Sequence, residues 1–418
     1  MFKCLSPVIL LAAGCAFDSS TQVSGDGGVG VPDSARIDAA DIDAAIVDAA
    51  IVDAAPDDAM PDAEVDGAPD ATPCVGDLMG FDLLNMDRCD PTGPTTSLVL
   101  DQDGFYEFNS DDMMLSEPDS NVVQLMPDIV TQVGGADLVV LTYTDVELAS
   151  AARLRVVGTR PVVIISTGDM EIAGRLQATR RGVLTGAGAN IDVGCATGAG
   201  TDGALQIDSL DRMAGSGGGG AGFGTAGGEG ARLVNSNDNN SPGGTTAALL
   251  TLEPLRGGCK GGSGGGDGGA GGDGGGALHL AVAGTLTISG LVTASGAGGF
   301  GVTGTSSGGG GGGSGGAVLI QAGSFIDDGI ITVNGGGGGE GSRTSTATDA
   351  GTDGLLGSNN AASGGGGDSS GGNGGDGASI NDPAEDGDEA NFPNGGTARG
   401  SGGGGGGLGV IRIETVNP

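Results

Sequence analysis

Tryptophan is absent from this 418-residue chain, aromatic residues make up only 3% of it, and histidine occurs once, at His279. A core built around aromatic rings is not expected from such a composition. Lysine occurs only at Lys3 and Lys260, which leaves little scope for lysine chemistry. Positive charge is scarce throughout: 16 lysines and arginines face 53 aspartates and glutamates, a formal net charge of −37. Phosphate backbones are recognised by positive surfaces, so nucleic acid is not an expected partner. No apolar run reaches the roughly 18 residues of a membrane-spanning helix.

Glycine is the residue in excess, at 94 positions, joined by 16 prolines. That is a low-complexity composition. Yet 37% of the chain is apolar, with valine, isoleucine and leucine gathered in short runs, too organised for simple disorder.

A module recurs in the C-terminal part, in which an apolar strand leads to a glycine and a second glycine follows six residues later. Val163-Ile164-Ile165 leads to Gly168 and Gly174, Leu278-His279-Leu280 to Gly284 and Gly290, and Leu319-Ile320-Gln321 to Gly323 and Gly329. Val410-Ile411-Arg412-Ile413 opens a further copy. Three strand-length pieces separated by two glycine corners describe one turn of a parallel β-helix, with glycine tolerating positive φ at each corner. Long glycine tracts lie between the modules, at 217–230, 257–276, 308–316, 335–341, 364–377 and 402–407. They read as flexible loops leaving one side of the solenoid. The alternative is packed polyglycine strands, whose close approach requires the absence of Cβ.

The N-terminal residues read as an address. Met1-Phe2-Lys3 is a short positive segment, Leu5 to Ala13 is apolar, and Leu11-Ala12-Ala13-Gly14-Cys15 resembles a bacterial lipobox, with Ala12 where leucine is usual. The resemblance implies cleavage after residue 14 and lipidation of Cys15, hence an anchor in the cell envelope, in the outer membrane or at the cell surface, or otherwise secretion. Residues 15–73 read as a disordered acidic linker, with the repeats Asp43-Ala44-Ala45-Ile46-Val47 and Asp48-Ala49-Ala50-Ile51-Val52 followed by prolines at 56, 61 and 69. Residues 74–160 read as a β-rich cap and 161–418 as the solenoid. Cys74, Cys89, Cys195 and Cys259 are an even set in a disulfide-permissive compartment, with three pairings open. Pairing Cys74 with Cys89 closes a short loop, and Cys195 with Cys259 a long one. Zinc is the weaker reading, because no CxxC occurs and His279 is the only histidine.

The run at 158–165, the run at 310–339 and the Asp/Ala/Pro linker resemble the glycine-rich lipoproteins of Gram-negative bacteria, and the strand–glycine rhythm is similar to haemagglutinin-type right-handed β-helices. The resemblance implies an all-β fold, a parallel β-helix with long glycine-rich loops. It also implies a non-enzymatic role in adhesion, matrix or envelope structure, with a surface glycan or envelope component as partner.

The motifs of catalysis and metal binding fit poorly. Segments 268–274 and 371–377 match the glycine and aspartate positions of a calcium β-roll, but Gly275 and Ala378 stand where a large aliphatic must fill the core. No cofactor is therefore expected, with Ca²⁺ the candidate that remains. GxGxxG strings arise here from composition alone, with no Walker lysine after them. A Ser-His-Asp triad needs His279, which alternation turns outward from Leu278 and Leu280. Asp111-Asp112 and Asp327-Asp328 are adjacent strand residues on opposite faces and make no dyad by adjacency. No catalytic residue is assigned. A polysaccharide lyase or hydrolase on a β-helix, and a Ca²⁺-responsive binding module, are the alternative functions.

Overall fold

In the computed structural model the described residues are 74–94, 96–248, 251–343, 347–366, 371–390 and 398–416. The leader, Cys15 and the acidic linker lie outside them. The order begins with the one-turn helix α1 (Val75–Met79), then β1 (Leu98–Leu100), β2 (Gly104–Asn109), β3 (Met114–Ser116), β4 (Val122–Gln124) and β5 (Asp128–Val130). There follow β6 (Leu138–Tyr143), β7 (Val146–Leu148), β8 (Ala152–Val157), β9 (Val162–Ser166), β10 (Met170–Ile172) and β11 (Arg175–Gln177). The short helix α2 (Asp192–Cys195) precedes the hairpin of β12 (Leu205–Ile207) and β13 (Met213–Gly215). The last strands are β14 (Ala277–Ile288), β15 (Leu291–Thr293), β16 (Ala317–Asp327), β17 (Ile330–Thr332) and β18 (Val410–Thr415). The described part is all-β, with two short helices.

Corresponding pieces of the modules pair in parallel. The first half of β14 lies beside β9 and its second half beside β10, while β16 runs along its other edge and β18 along β16. A second sheet is formed by β2, β8, β11, β15 and β17 in that order, extended antiparallel by β3 and β4. Strands β6, β7 and β8, from the cap region, pair in register with β9, β10 and β11.

Registry stacks like residues into ladders. Val139, Val162, Leu278, Val318 and Ile411 are successive register partners, as are Leu141, Ile164, Leu280, Ile320 and Ile413. Across from them the second sheet contributes Tyr106, Leu154, Leu176 and Val292, all in the same core. Each fully buried aliphatic contributes roughly 1.5–3 kcal/mol, so the ladders replace the missing aromatic payload with repetition.

The corner glycines also stack, for a reason other than the one expected. Gly168, Gly174, Gly284, Gly290, Gly323 and Gly329 all lack positive φ. A Cβ on Gly290 would stand 2.0 Å from the carbonyl oxygen of Gly174, and one on Gly323 would stand 2.3 Å from that of Ala283. Each corner is glycine because the corner beneath it presses against its Cα.

Among the described residues, the expected glycine-rich loops are instead largely buried. In the 308–316 tract, the amides of Gly308, Gly311 and Ser314 donate to the carbonyls of Gly265, Gly262 and Cys259. Those of Gly309, Gly312 and Gly315 donate to Ser401, Gly404 and Gly407, and those of Gly310, Gly313 and Gly316 donate to Phe300, Ala297 and Ala294. Hydrogen bonds thus rotate through three neighbours with a period of three residues, the repeat of a polyproline II-type strand. Tract 401–407 continues the pattern, donating in turn to Gly215, Asp388, Gly339, Gly218, Glu385, Gly336 and Ala221. The loop expectation fails because glycine backbones satisfy one another at separations that no Cβ permits.

Two disulfides join Cys74 to Cys89 and Cys195 to Cys259. They suit an oxidising compartment outside the cytoplasm. No helix among the described residues is long and apolar enough to cross a membrane.

Candidate functional site

The outer face of the second sheet carries an unusual concentration of positive charge. Register sets Phe105, Arg153 and Arg175 side by side on β2, β8 and β11, with Glu107, Arg155 and Gln177 in the next row. Alternation with the buried Tyr106, Leu154 and Leu176 turns both rows away from the core. The Arg153 guanidinium lies 5.0 Å from the centre of the Phe105 ring and that of Arg155 lies 5.8 Å from it. Phe105 is itself 50% exposed. Arg181 pairs with Glu107 at 2.5 Å. Burial, and then the nearby Arg181, lower Arg155 below the usual guanidinium range, against the opposing pull of Glu107 and Asp353. Arg153 and Arg175 form no ion pair among the described residues.

A second polar site is an open cleft of about 460 Å³ lined by Glu229, Arg232, Asn239, Asn240, Pro242 and Glu389. The backbone segments around it are held together by side chains. Arg232 donates to Glu389 at 2.9 Å, Asn240 donates to Glu229 at 2.7 Å, and the Glu229 amide donates to Asp386 at 2.7 Å.

His279 occupies a third. Its side chain does point away from Leu278 and Leu280, but it is fully buried rather than solvent-facing. The row Val140, Val163, His279, Leu319 and Arg412 lies on the sheet's other face, which belongs to a second core containing Val75, Met79, Leu83, Phe223, Leu252 and Leu255. Segments remote in sequence cover the expected outer surface. Neither ring nitrogen makes a well-formed hydrogen bond, although the nearby Gln321 amide favours the protonated ring. Burial dominates and pushes the imidazole down to about 3, helped by the charge of Arg412. Gln321 is engaged elsewhere, accepting from Leu84 N and donating to Asp82 O and Glu414 Oε2. A buried neutral ring with no serine or carboxylate bonded to it has no nucleophile to activate.

The other acidic candidates serve the fold. Asp111 accepts from the amide and hydroxyl of Thr159, and Asp112 accepts from Asn109 and the Met114 amide. Asp327 and Asp328 are exposed. In the two calcium-like segments, Asp273 accepts from Asn190 at 3.0 Å and Asp376 accepts from Gly364 N at 2.7 Å. Among the described residues no group of three or more His, Cys, Asp or Glu side chains could hold a metal ion. Cys74, Cys89, Cys195 and Cys259 are all committed to disulfides, and the lipidation candidate Cys15 lies outside the described residues.

Sequence reasoning passed over Arg153, Arg155 and Arg175. Their signal is positional: Arg175 directly follows the second corner glycine of its module, where later modules place Leu291 and Ile330. No protein-family model, curated protein or solved structure matches this chain.

Proposed function

We infer that the chain is a non-enzymatic surface lipoprotein, anchored through Cys15, spaced from the membrane by residues 16–73, and serving adhesion or structural contact with envelope or matrix. The in-register parallel pieces β6–β8, β9–β11, β14–β15 and β16–β17 support reading the two larger sheets as coils of a parallel β-helix. The observation that carries the reading is the glycine bundle. The segments between coils, 178–276, 294–316 and 333–409, bury tracts whose amides are bonded to neighbouring tracts. This arrangement favours a rigid body displaying fixed surface rows over a hinged body that closes on a substrate.

Full-length protein expressed in a Gram-negative host should yield a mature N-terminus at an acylated Cys15 by mass spectrometry. The same protein should bind envelope or matrix polysaccharide without shortening it. An unacylated Cys15, cleavage at another residue, or release of oligosaccharides would sink this reading.

A carbohydrate-active enzyme is the second reading, favoured by the convergence of Glu229, Glu389 and Arg232 in one cleft. If it holds, polysaccharide cleavage should be detectable and should disappear in Glu229→Gln or Glu389→Gln.

A further inference from the structure

We propose that the outer face of the second sheet, around Phe105, Arg153 and Arg175, binds a linear polysaccharide carrying carboxylates on its sugar rings. This rests on the surface-contact reading and names the ligand chemistry of one face.

Three observations lead there. The first is an electrostatic conflict. Arg153 and Arg175 are direct register partners on adjacent strands, and like charges placed opposite one another destabilise a sheet. In a chain with 53 acidic residues a carboxylate partner would be simple to supply, yet among the described residues neither arginine forms an ion pair. The one acidic residue in these rows, Glu107, is taken by Arg181. An anion from outside would relieve the repulsion, and the guanidinium fork suits a carboxylate in particular.

The second is the aromatic. Phe105 is half-exposed on a chain where aromatics make up only 3% of residues. It lies in the same row as the two arginines. A flat apolar ring beside charged donors matches the two sides of an acidic sugar, its C–H face and its carboxylate edge.

The third is spacing. Successive strands step by about 4.8 Å, comparable to one sugar ring along a chain. Arginines on neighbouring strands therefore offer one guanidinium per ring to a polymer lying across the strands. The −37 net charge of the whole chain repels every polyanion, and repels one of higher charge density, such as nucleic acid, more strongly than a polymer with one carboxylate per ring.

The test uses full-length protein and three immobilised polymers: polygalacturonate, dextran and dextran sulfate. Polygalacturonate should be retained and released by salt, and dextran should not be retained. The pair Arg153→Gln and Arg175→Gln should weaken retention at least tenfold, and Phe105→Ala severalfold. Lys260→Gln, which removes an exposed cation outside both this face and the cleft, should leave retention unchanged. The melting temperature of the double variant should match or exceed that of the parent, since the like-charge pair is gone, which separates lost contact from lost fold. Polygalacturonate retention that persists in the double variant, or equal retention of dextran sulfate, overturns the assignment. If whole-envelope binding also persists in that variant, surface contact stands and only this face is excluded. A polymer held through these arginines and also shortened supports the assignment while overturning the non-enzymatic reading.

Discussion

The amide of Gly312 donates to the carbonyl of Gly404 at 2.8 Å, and the same Cα is pressed so closely that a Cβ would lie 2.0 Å from the carbonyl oxygen of Gly336. Backbone, not a flexible side chain, occupies that space. Gly312→Ala should therefore destabilise the fold by more than about 3 kcal/mol, at the upper end of overpacking effects. Gly93→Ala is the matched control, since nothing lies within 4 Å of its Cβ position. It should fall within about 0.5 kcal/mol of the parent. Equal denaturant midpoints for the two variants would show that tract 308–316 is not tightly packed.

The same lattice makes a prediction about dynamics. The amides of 308–316 all donate to other tracts and are buried, although they belong to no sheet. Their hydrogen exchange should be as slow as that of β14, because exposing any of them requires separating several tracts at once. Exchange within seconds, as in a solvated loop, would contradict the bundle. Deuterium uptake followed by mass spectrometry on peptides from 308–316 and 401–407 decides between them.

Much of this architecture was legible in advance, and the failures are instructive. Equal spacing at Gly168/Gly174, Gly284/Gly290 and Gly323/Gly329 marked the corners, because pieces that pair in parallel register require equal path lengths between them. The cause of those glycines was not legible, since steric pressure from the turn beneath is invisible in a local window. The glycine bundle was hidden for the same reason: tract 308–316 bonds to residues near 262, 297 and 404, and no local periodicity reports such partners. At His279, alternation gave the direction of the side chain correctly. It could not reveal that Val75, Met79 and Leu83, about two hundred residues earlier, cover that face. The arginine face became visible only when register placed Arg153 beside Arg175.

The two disulfides should differ in their contribution. Cys74 and Cys89 are separated by 15 residues, Cys195 and Cys259 by 64. Loop-closure entropy gives about 3 kcal/mol for the shorter and about 4 for the longer. The longer also lies in the second core, with Cys259 fully buried. Replacing Cys195 and Cys259 together by alanine should therefore lower the melting temperature more than replacing Cys74 and Cys89. The opposite order would mean that loop length is not the controlling factor.

His279 ties stability to pH. Its folded-state value is pushed down to about 3 from 6.5, chiefly by burial. Between those values the unfolded chain holds a proton on this ring that the folded chain lacks. Protons therefore favour unfolding, and stability falls as pH drops from about 6.5 toward 3, by about 1.4 kcal/mol per unit from this group alone. Above 6.5 both states are neutral and the contribution is constant. The facing groups Gln321, Arg412 and Glu414 add their own terms, and so do the chain's many carboxylates. Comparison with His279→Leu isolates the histidine, since the other groups remain. Leucine fits the apolar row of Val163 and Leu319. The variant should match or exceed the parent at pH 7 and gain on it steadily as the pH is lowered. Parallel stability–pH curves for the two proteins would mean that His279 is solvated or protonated in the folded state.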